Sequence, residues 1–255
     1  MKSIYLDNAA TTKLAPEVAD AMIPVLSEVY GNPSSTHAVG RKAKALIETS
    51  RRDISKILEC EPRSITFTSG GTEADNLALR AAVIDLGCKR IITSPAEHSA
   101  VIASSEKMAN LFGVELVHVK HLKDGTVDCE NLRDLLSTGP KTLVSLMHAN
   151  NEVGVIQPLN EISELCKQAG AVFHSDTVQT MAHYKFKLDS LDIDFLTCSA
   201  HKFHGPKGTG FLYTHPRNSI KSQIVGGGQE RGLRSGTENL HGIVGLASAI
   251  KLAYD

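Results

Sequence analysis

The sequence lacks the features that mark several protein classes. Its 255 residues carry 27 Lys and Arg against 28 Asp and Glu, and no long run has charge of one sign. Charge therefore gives no indication of a surface for nucleic acid or acidic membranes. No stretch approaches the roughly 20 apolar residues of a membrane span, and the N-terminus has no apolar segment of signal-peptide length. We expect a cytoplasmic protein with no nucleic-acid partner and no membrane association.

Cysteine is sparse and scattered. The five cysteines are Cys60, Cys88, Cys129, Cys166 and Cys198. An odd, dispersed set without a CxxC pair indicates reduced thiols instead of a disulfide framework or a zinc site. Two short histidine pairs, His118-x-x-His121 and His201-x-x-His204, have neither the HExxH nor the Cys/His spacing of zinc sites. We therefore predict no metal ligands.

Short apolar runs alternate with amphipathic stretches along the whole chain. The predicted strands are 65–68, 90–94, 114–119, 142–147, 171–175, 194–199 and 209–213. The predicted helices cover about 16–29, 38–59, 73–86, 98–112, 128–137, 158–169 and 238–254. This alternation predicts an α/β fold with a mostly parallel sheet flanked by helices on both faces. No helix-length spacer separates the last two strands, so we expect a hairpin-like or antiparallel edge pair.

Residues 226–236 are rich in Gly and Arg and lie between the last strand and the last helix. This composition favours an ordered loop with special backbone conformations, and the alternative is a floppy surface loop.

Polar residues directly after the strands are the candidate site, because ligands of open α/β sheets bind at the carboxyl ends of strands. The first such segment is the Gly-rich turn 69–73. A turn of this kind that opens a helix presents free N–H groups to a phosphate, and the Thr72 hydroxyl adds a donor. The turn matches neither the dinucleotide nor the nucleoside-triphosphate motif. Taken alone, it is also compatible with an ordinary helix start capped by Thr72.

Three further strands deliver polar side chains. His98 can stack on a planar ligand or carry protons near neutral pH. Asn151 can donate a hydrogen bond to a phenolate-type oxygen. Asp176, with Gln179 three residues on, can pair with a protonated heterocyclic nitrogen. Each also has a plain structural interpretation, as a surface histidine, an Asx-turn or a helix N-cap.

The last segment is Ser199-Ala200-His201-Lys202. A lysine in a constrained turn at a strand end is well placed to form a Schiff base, and partial burial would depress its pKa. A single lysine is usually a solvated surface residue, so the inference rests on the combination. Together the five segments offer a partner for the phosphate, ring face, ring nitrogen, phenolate and aldehyde of pyridoxal 5'-phosphate.

The sequence resembles the cysteine desulfurases, within the class V aminotransferase group of fold-type I pyridoxal-phosphate enzymes. As a group the matching motifs are highly specific and span almost the whole chain. The matching segments are YLDNAATT (5–12), GNPSSTH (31–37), FTSGGTEADNLAL (67–79), AEHSAV (96–101), NNEVGVIQP (150–158), HSDTVQ (174–179), SAHKFHGPKGTGFLY (199–213) and GGGQERGLRSGTEN (226–239).

The resemblance implies how the cofactor phosphate is held. Gly71 and Thr72 would bind the phosphate, and Ser199 and His201 would contact it as well. Thr237 would reach the phosphate of a neighbouring subunit, which implies a homodimer.

The resemblance also implies contacts to the cofactor ring. His98 would stack on the ring and shuttle protons, and Asn151 and Gln179 would contact the side of the phenolic oxygen. Asp176 would pair with the pyridinium nitrogen, and Lys202 would form the Schiff base. Lys202 and His98 are thus the implied catalytic residues.

The resemblance divides the chain into two parts. Residues 1–15 would be an N-terminal arm of a small domain, and residues 16–255 the cofactor-binding large domain. Family members continue past the position of Asp255 with the rest of the small domain, including a loop with the catalytic cysteine. We expect that part to be absent here and assign no catalytic cysteine. Asn32 is expected to line the substrate entrance.

The implied function is pyridoxal-phosphate-dependent desulfuration of L-cysteine, which gives L-alanine and an enzyme persulfide. The sulfur would pass to iron–sulfur scaffolds or other acceptor proteins. Two alternatives stay open: a selenocysteine lyase or another class V lyase or transaminase, and a dimerising module without turnover.

Overall fold

The computed structural model describes residues 4–255, so the first three residues of the predicted N-terminal arm lie outside the described residues. The helices are α1 (Pro16–Glu28), α2 (Ala38–Ile57), α3 (Gly71–Ile84), α4 (Ser99–Phe112), α5 (Cys129–Leu136), α6 (Leu159–Ala169) and α7 (Leu240–Tyr254). The strands are β1 (Ile65–Thr68), β2 (Arg90–Thr93), β3 (Glu115–His118), β4 (Thr142–Ser145), β5 (Val172–Asp176), β6 (Phe195–Ser199) and β7 (Gly210–Thr214). Every predicted element is present, with bounds shifted by a few residues.

The strands form one seven-stranded sheet in the order β1-β7-β6-β5-β4-β2-β3. β7 pairs antiparallel with both β1 and β6, while the remaining pairs are parallel. The predicted antiparallel pairing of β6 and β7 is confirmed, but the predicted edge position is wrong. β7 lies inside the sheet because β1, which comes first in the chain, pairs with its free side.

Both faces of the sheet are covered, as predicted. Neighbouring residues of a strand point to opposite faces. In β2, Ile91 packs in the cluster formed with α3 and α4, while Ile92 packs in the larger cluster formed with the remaining helices. Leu143 and Val144 of β4 divide in the same way. Burial on both faces explains why these strands read as continuous apolar runs instead of alternating ones.

Helix ends follow from local sequence. α1 has Pro at its first turn, where the missing N–H costs nothing. Gly113 and Gly170 end α4 and α6 in the left-handed conformation that glycine adopts without steric cost. Within residues 4–255, none of the helices has the length and apolar character needed to cross a bilayer.

Candidate active site

The carboxyl ends of β5 and β6 and the turn after β1 meet around one cavity of about 270 Å³. Nine of the ten residues predicted from the sequence line it. They are Gly71, Thr72, His98, Asn151, Asp176, Gln179, Ser199, His201 and Lys202. The sheet topology thus gathers side chains that lie up to 131 positions apart in the sequence into one site.

One end of the cavity is formed by backbone. Gly70 has φ of +151°, a conformation that favours glycine, and α3 begins at the next residue. A Cβ on Gly71 would lie 2.8 Å from Val178 Cγ2, so only glycine lets this helix start pack so closely. The Glu73 carboxylate accepts hydrogen bonds from the Ser69 backbone N–H and hydroxyl. Gly71 and Thr72, the first two residues of α3, line the cavity, and a helix start is suited to binding an anion.

Asp176 ends β5 and is buried at the wall of the cavity. Its Oδ1 accepts a hydrogen bond from Val178 N at 2.9 Å. Burial and the neighbouring Asp75 raise the pKa of Asp176 to about 7. A raised pKa marks a carboxyl whose charge lacks full compensation, so a cationic group in the cavity would be bound favourably.

Lys202 lies in a short 3₁₀ turn, Ala200–Lys202, directly after β6. Its Nζ donates hydrogen bonds to the carbonyl oxygens of Ala10, at 3.0 Å, and Ala9. Partial burial lowers the pKa of Lys202, against the opposing effect of Asp176. Among the described residues, the hydrogen-bond acceptors of this amine are backbone carbonyls and not carboxylates, so no ion-pair hydrogen bond has to break before the amine reacts.

The described part of the N-terminal arm lies against this lysine turn. Thr12 N donates to His201 O at 2.8 Å, and Ala15 N donates to His204 O at 3.0 Å. Gln179 Nε2 donates to Ala9 O at 2.9 Å, so this predicted site residue binds the arm as well as lining the cavity. The arm's assignment to a small domain stays a prediction.

His98 and Asn151 also serve local structure. His98 caps α4, where its Nδ1 accepts a hydrogen bond from Ala100 N at 3.2 Å, and its ring is exposed to the cavity. Asn151 Nδ2 donates to Glu152 Oε1 at 2.7 Å, while the preceding Asn150 accepts two backbone N–H groups in an Asx-turn. The structural and ligand-binding interpretations are therefore compatible at these positions.

Asn32, expected at the substrate entrance, does not line this cavity, and neither does one predicted cofactor-binding residue, Thr237. It lines a separate cavity of about 100 Å³ with Ser69, Gly208 and Arg234. Arg234 forms an ion pair with Glu73 at 2.8 Å, so the segment before Thr237 is tied to the first turn of α3.

Sequence reasoning missed Asp75, which also lines the main cavity. It is 1% exposed and lies one helical turn after Gly71. The available signal was a charged residue on the otherwise apolar, buried side of a predicted helix, close after the Gly-rich turn 69–73.

The five cysteines are unpaired, and none lines the cavity in the part of the chain that the structure describes. Burial raises the pKa of Cys198, the cysteine nearest the lysine turn in sequence, well above its usual range. It also raises the pKa of Cys60 to about 12 and of Cys88 to about 11. Raised pKa values of this kind disfavour the thiolate form at neutral pH.

A family model described as aminotransferase class-V matches residues 4–255. The chain belongs to the class V aminotransferase family. It is 44% identical over 254 residues to a Dictyoglomus turgidum protein named cysteine desulfurase IscS, covering 99% of this chain and 64% of that relative. The chain therefore spans just under two thirds of that curated relative's length.

Two solved structures have the same fold as this chain. A NifS-like protein has a TM-score of 0.94 and 41% identity, with 99% of this chain and 70% of that one covered. A structure titled SspA in complex with cysteine has a TM-score of 0.92 and 33% identity, with 98% and 72% covered. These likenesses confirm the predicted fold-type I architecture.

Proposed function

We propose that this chain is the cofactor-binding part of a pyridoxal-phosphate-dependent cysteine desulfurase. The observation that carries the proposal is that Lys202 and Asp176 line one cavity together with the helix start at Gly71. An amine, a carboxyl and an anion-binding turn match the aldehyde, ring nitrogen and phosphate of that cofactor. The name of the Dictyoglomus turgidum relative and the cysteine in the SspA structure support the choice of substrate.

The residues present fit the cofactor by their own chemistry. The buried Asp176 carboxyl has a raised pKa and would gain a charge-assisted hydrogen bond from a protonated ring nitrogen. The absence of a side chain at Gly71 leaves backbone N–H groups open to a phosphate. When bound, the cofactor supplies an electron sink for charge developing on the substrate carbon.

The chain's own residues orient the substrate and move protons. Because the pKa of Lys202 is lowered by burial, its amine loses a proton more readily than an exposed lysine and can serve as base as well as nucleophile. His98, exposed on the cavity side, is the second group placed to carry a proton. The thiol that takes the sulfur is not assigned to any of the five cysteines.

A pair of lysine variants tests the cofactor assignment. Lys202→Ala should abolish the visible absorption that develops when purified chain is mixed with pyridoxal 5'-phosphate. Lys207→Ala, five residues on at an exposed position, is the matched control and should keep it. A wild-type chain that develops no such absorption would contradict the proposal.

The predicted homodimer has a test that uses two separate lesions. We propose that Thr237 completes the phosphate site of a second copy, since it lies outside the cavity of its own Lys202. In a mixture of Lys202→Ala and Thr237→Ala chains, mixed dimers would then hold one intact and one doubly altered site. We expect the mixture to bind cofactor with the affinity of the wild type, at fewer sites per chain. If mixing restores no cofactor binding, the shared site is refuted.

Selenocysteine lyase or another class V lyase or transaminase is the alternative activity. The sulfur acceptors, iron–sulfur scaffolds or others, are proposed from the resemblance. A protein that contains the remaining third of the relatives' length should release alanine from L-cysteine. Release from selenocysteine alone would favour the alternative.

A further inference from the structure

A second buried carboxyl stands beside Asp176 at the cavity wall. Asp75 of α3 is 1% exposed and lines the same cavity. One carboxyl oxygen of Asp75, one of Asp176 and one ring nitrogen of His98 all lie within 4.8 Å of one another. Two carboxylates this close in a buried site cannot both ionise without strong repulsion.

Within residues 4–255, no Lys or Arg forms an ion pair with Asp75. Its Oδ1 has no hydrogen-bond partner and lies 3.4 Å from His174 Nε2. The His174 ring is held by Ser145 Oγ at 2.8 Å and Thr197 Oγ1 at 3.2 Å. Burial lowers the pKa of His174 to about 4, so the ring is neutral at physiological pH.

The other titratable groups that face Asp75 are Asp176, Glu97 and His98. Burial and nearby carboxyls raise the pKa of Glu97 well above its usual range, and Glu97 adds no positive charge beside Asp75. His98 is exposed and faces the cavity. Burial raises the pKa of Asp75 to about 7, against the opposing effect of a hydrogen bond from Thr197, so these surroundings favour its protonated form more than those of an exposed aspartate do.

We propose that Asp75 is a positioning residue for the cofactor ring: beside a bound, protonated ring nitrogen it holds the one proton of the pair, so that the two carboxyls carry one negative charge, located on Asp176. This inference rests on the proposed cofactor. A single charge matches the single positive charge of a protonated ring nitrogen. Asp75 then acts as a neutral acid that confines the negative charge to the one carboxylate able to reach the ring.

Neutral variants of the two aspartates separate their roles. Asp75→Asn should bind pyridoxal 5'-phosphate with a dissociation constant within roughly threefold of the wild type, because it replaces one neutral group by another. Asp176→Asn should weaken binding by at least about tenfold. Equal weakening by both substitutions would show that Asp75 carries charge and would overturn the inference.

A spectroscopic measurement on the wild-type chain gives a second test that does not depend on the variants folding. Chain labelled with ¹³C at the aspartate carboxyl carbons should show, at neutral pH, a protonated carboxyl resonance both with and without cofactor. In cofactor-bound Asp75→Asn, when this variant folds, that resonance should be missing. Full ionisation of every aspartate at neutral pH would refute the inference. A wild-type chain that shows the protonated resonance but takes up no cofactor would contradict the proposed function alone.

Discussion

At the scale of single residues, the buried carboxyl of Asp176 makes the cofactor-free chain sensitive to pH. The pKa of this group is raised to about 7 in the folded chain, against an ordinary value near 3.8. Between those values the folded chain binds a proton that the unfolded chain has released. The free energy of unfolding contributed by this group therefore falls as pH rises through this window, and is fully retained only below it.

Asp176→Asn should remove this contribution. In cofactor-free chain, the unfolding free energy of the variant relative to the wild type should rise by about 2 kcal/mol or more between pH 4 and pH 8. Urea denaturation across this range measures it, and Asp20→Asn on the exposed face of α1 is the control. Parallel curves for Asp176→Asn and the wild type would contradict the burial argument.

The sequence patterns predicted the site residues that follow strands, but they did not predict Asp75, which lies within a helix. Lys202 and Asp176 each come directly after an apolar run, so their meeting at one sheet edge followed from the rule for parallel strands. Asp75 reaches the same cavity from α3, and its side-chain direction depends on how that helix sits on the sheet. That packing arises from contacts between distant segments, which no local spacing encodes.

At the scale of elements, β2 joins the two halves of the core through adjacent side chains. Ile91 and Ile92 are both 0% exposed and lie in different clusters on opposite faces of the sheet. Because each face is closely packed, a cavity opened in one cluster cannot be filled by side chains of the other.

Ile91→Ala and Ile92→Ala should therefore each lower the free energy of unfolding by about 2–5 kcal/mol. The control is Leu111→Ala in α4, where the side chain is 63% exposed and a change below about 1 kcal/mol is expected. Chemical denaturation of the three variants measures these changes in the free energy of unfolding. A small effect at either isoleucine would show that its face of the sheet is loosely packed.

The elements themselves were predictable, whereas the position of β7 was not. The short spacer after β6 correctly indicated antiparallel pairing, yet it says nothing about what lies on the other side of β7. Phe211, Leu212 and Tyr213 are buried to 1% exposure or less, as expected for an interior strand. A Cβ on Gly210 would lie 2.2 Å from Cys198 O, so this glycine permits the close approach of β7 to β6.

At the scale of the whole molecule, the loop 226–236 is tied to the sheet by a buried ion pair. The Glu230 carboxylate accepts two hydrogen bonds from Arg51 of α2 at 2.8 Å and a third from the backbone N–H of Phe67 in β1 at 2.8 Å. Arg51 also stacks over the Phe67 ring, 4.6 Å from its centroid. This pair joins α2, β1 and the loop, and supports the ordered-loop interpretation of its Gly and Arg content.

Arg51→Met should destabilise the chain by about 3–5 kcal/mol, because it leaves the buried Glu230 charge without its partner. Arg133→Met, which removes an exposed ion pair with Glu130, should leave stability unchanged within error. Thermal and urea denaturation of both variants measure the difference. Equal stability of the two variants would show that the loop does not depend on this pair.

We propose that the amine of Lys202 faces the aldehyde of pyridoxal 5'-phosphate across from Asp176. Borohydride reduction of the chain mixed with the cofactor, followed by peptide mass spectrometry, tests it most directly because reduction makes a lysine–cofactor bond permanent. We predict modification at Lys202, prevented in Lys202→Ala. Modification spread over other lysines, or none at Lys202, would contradict the account.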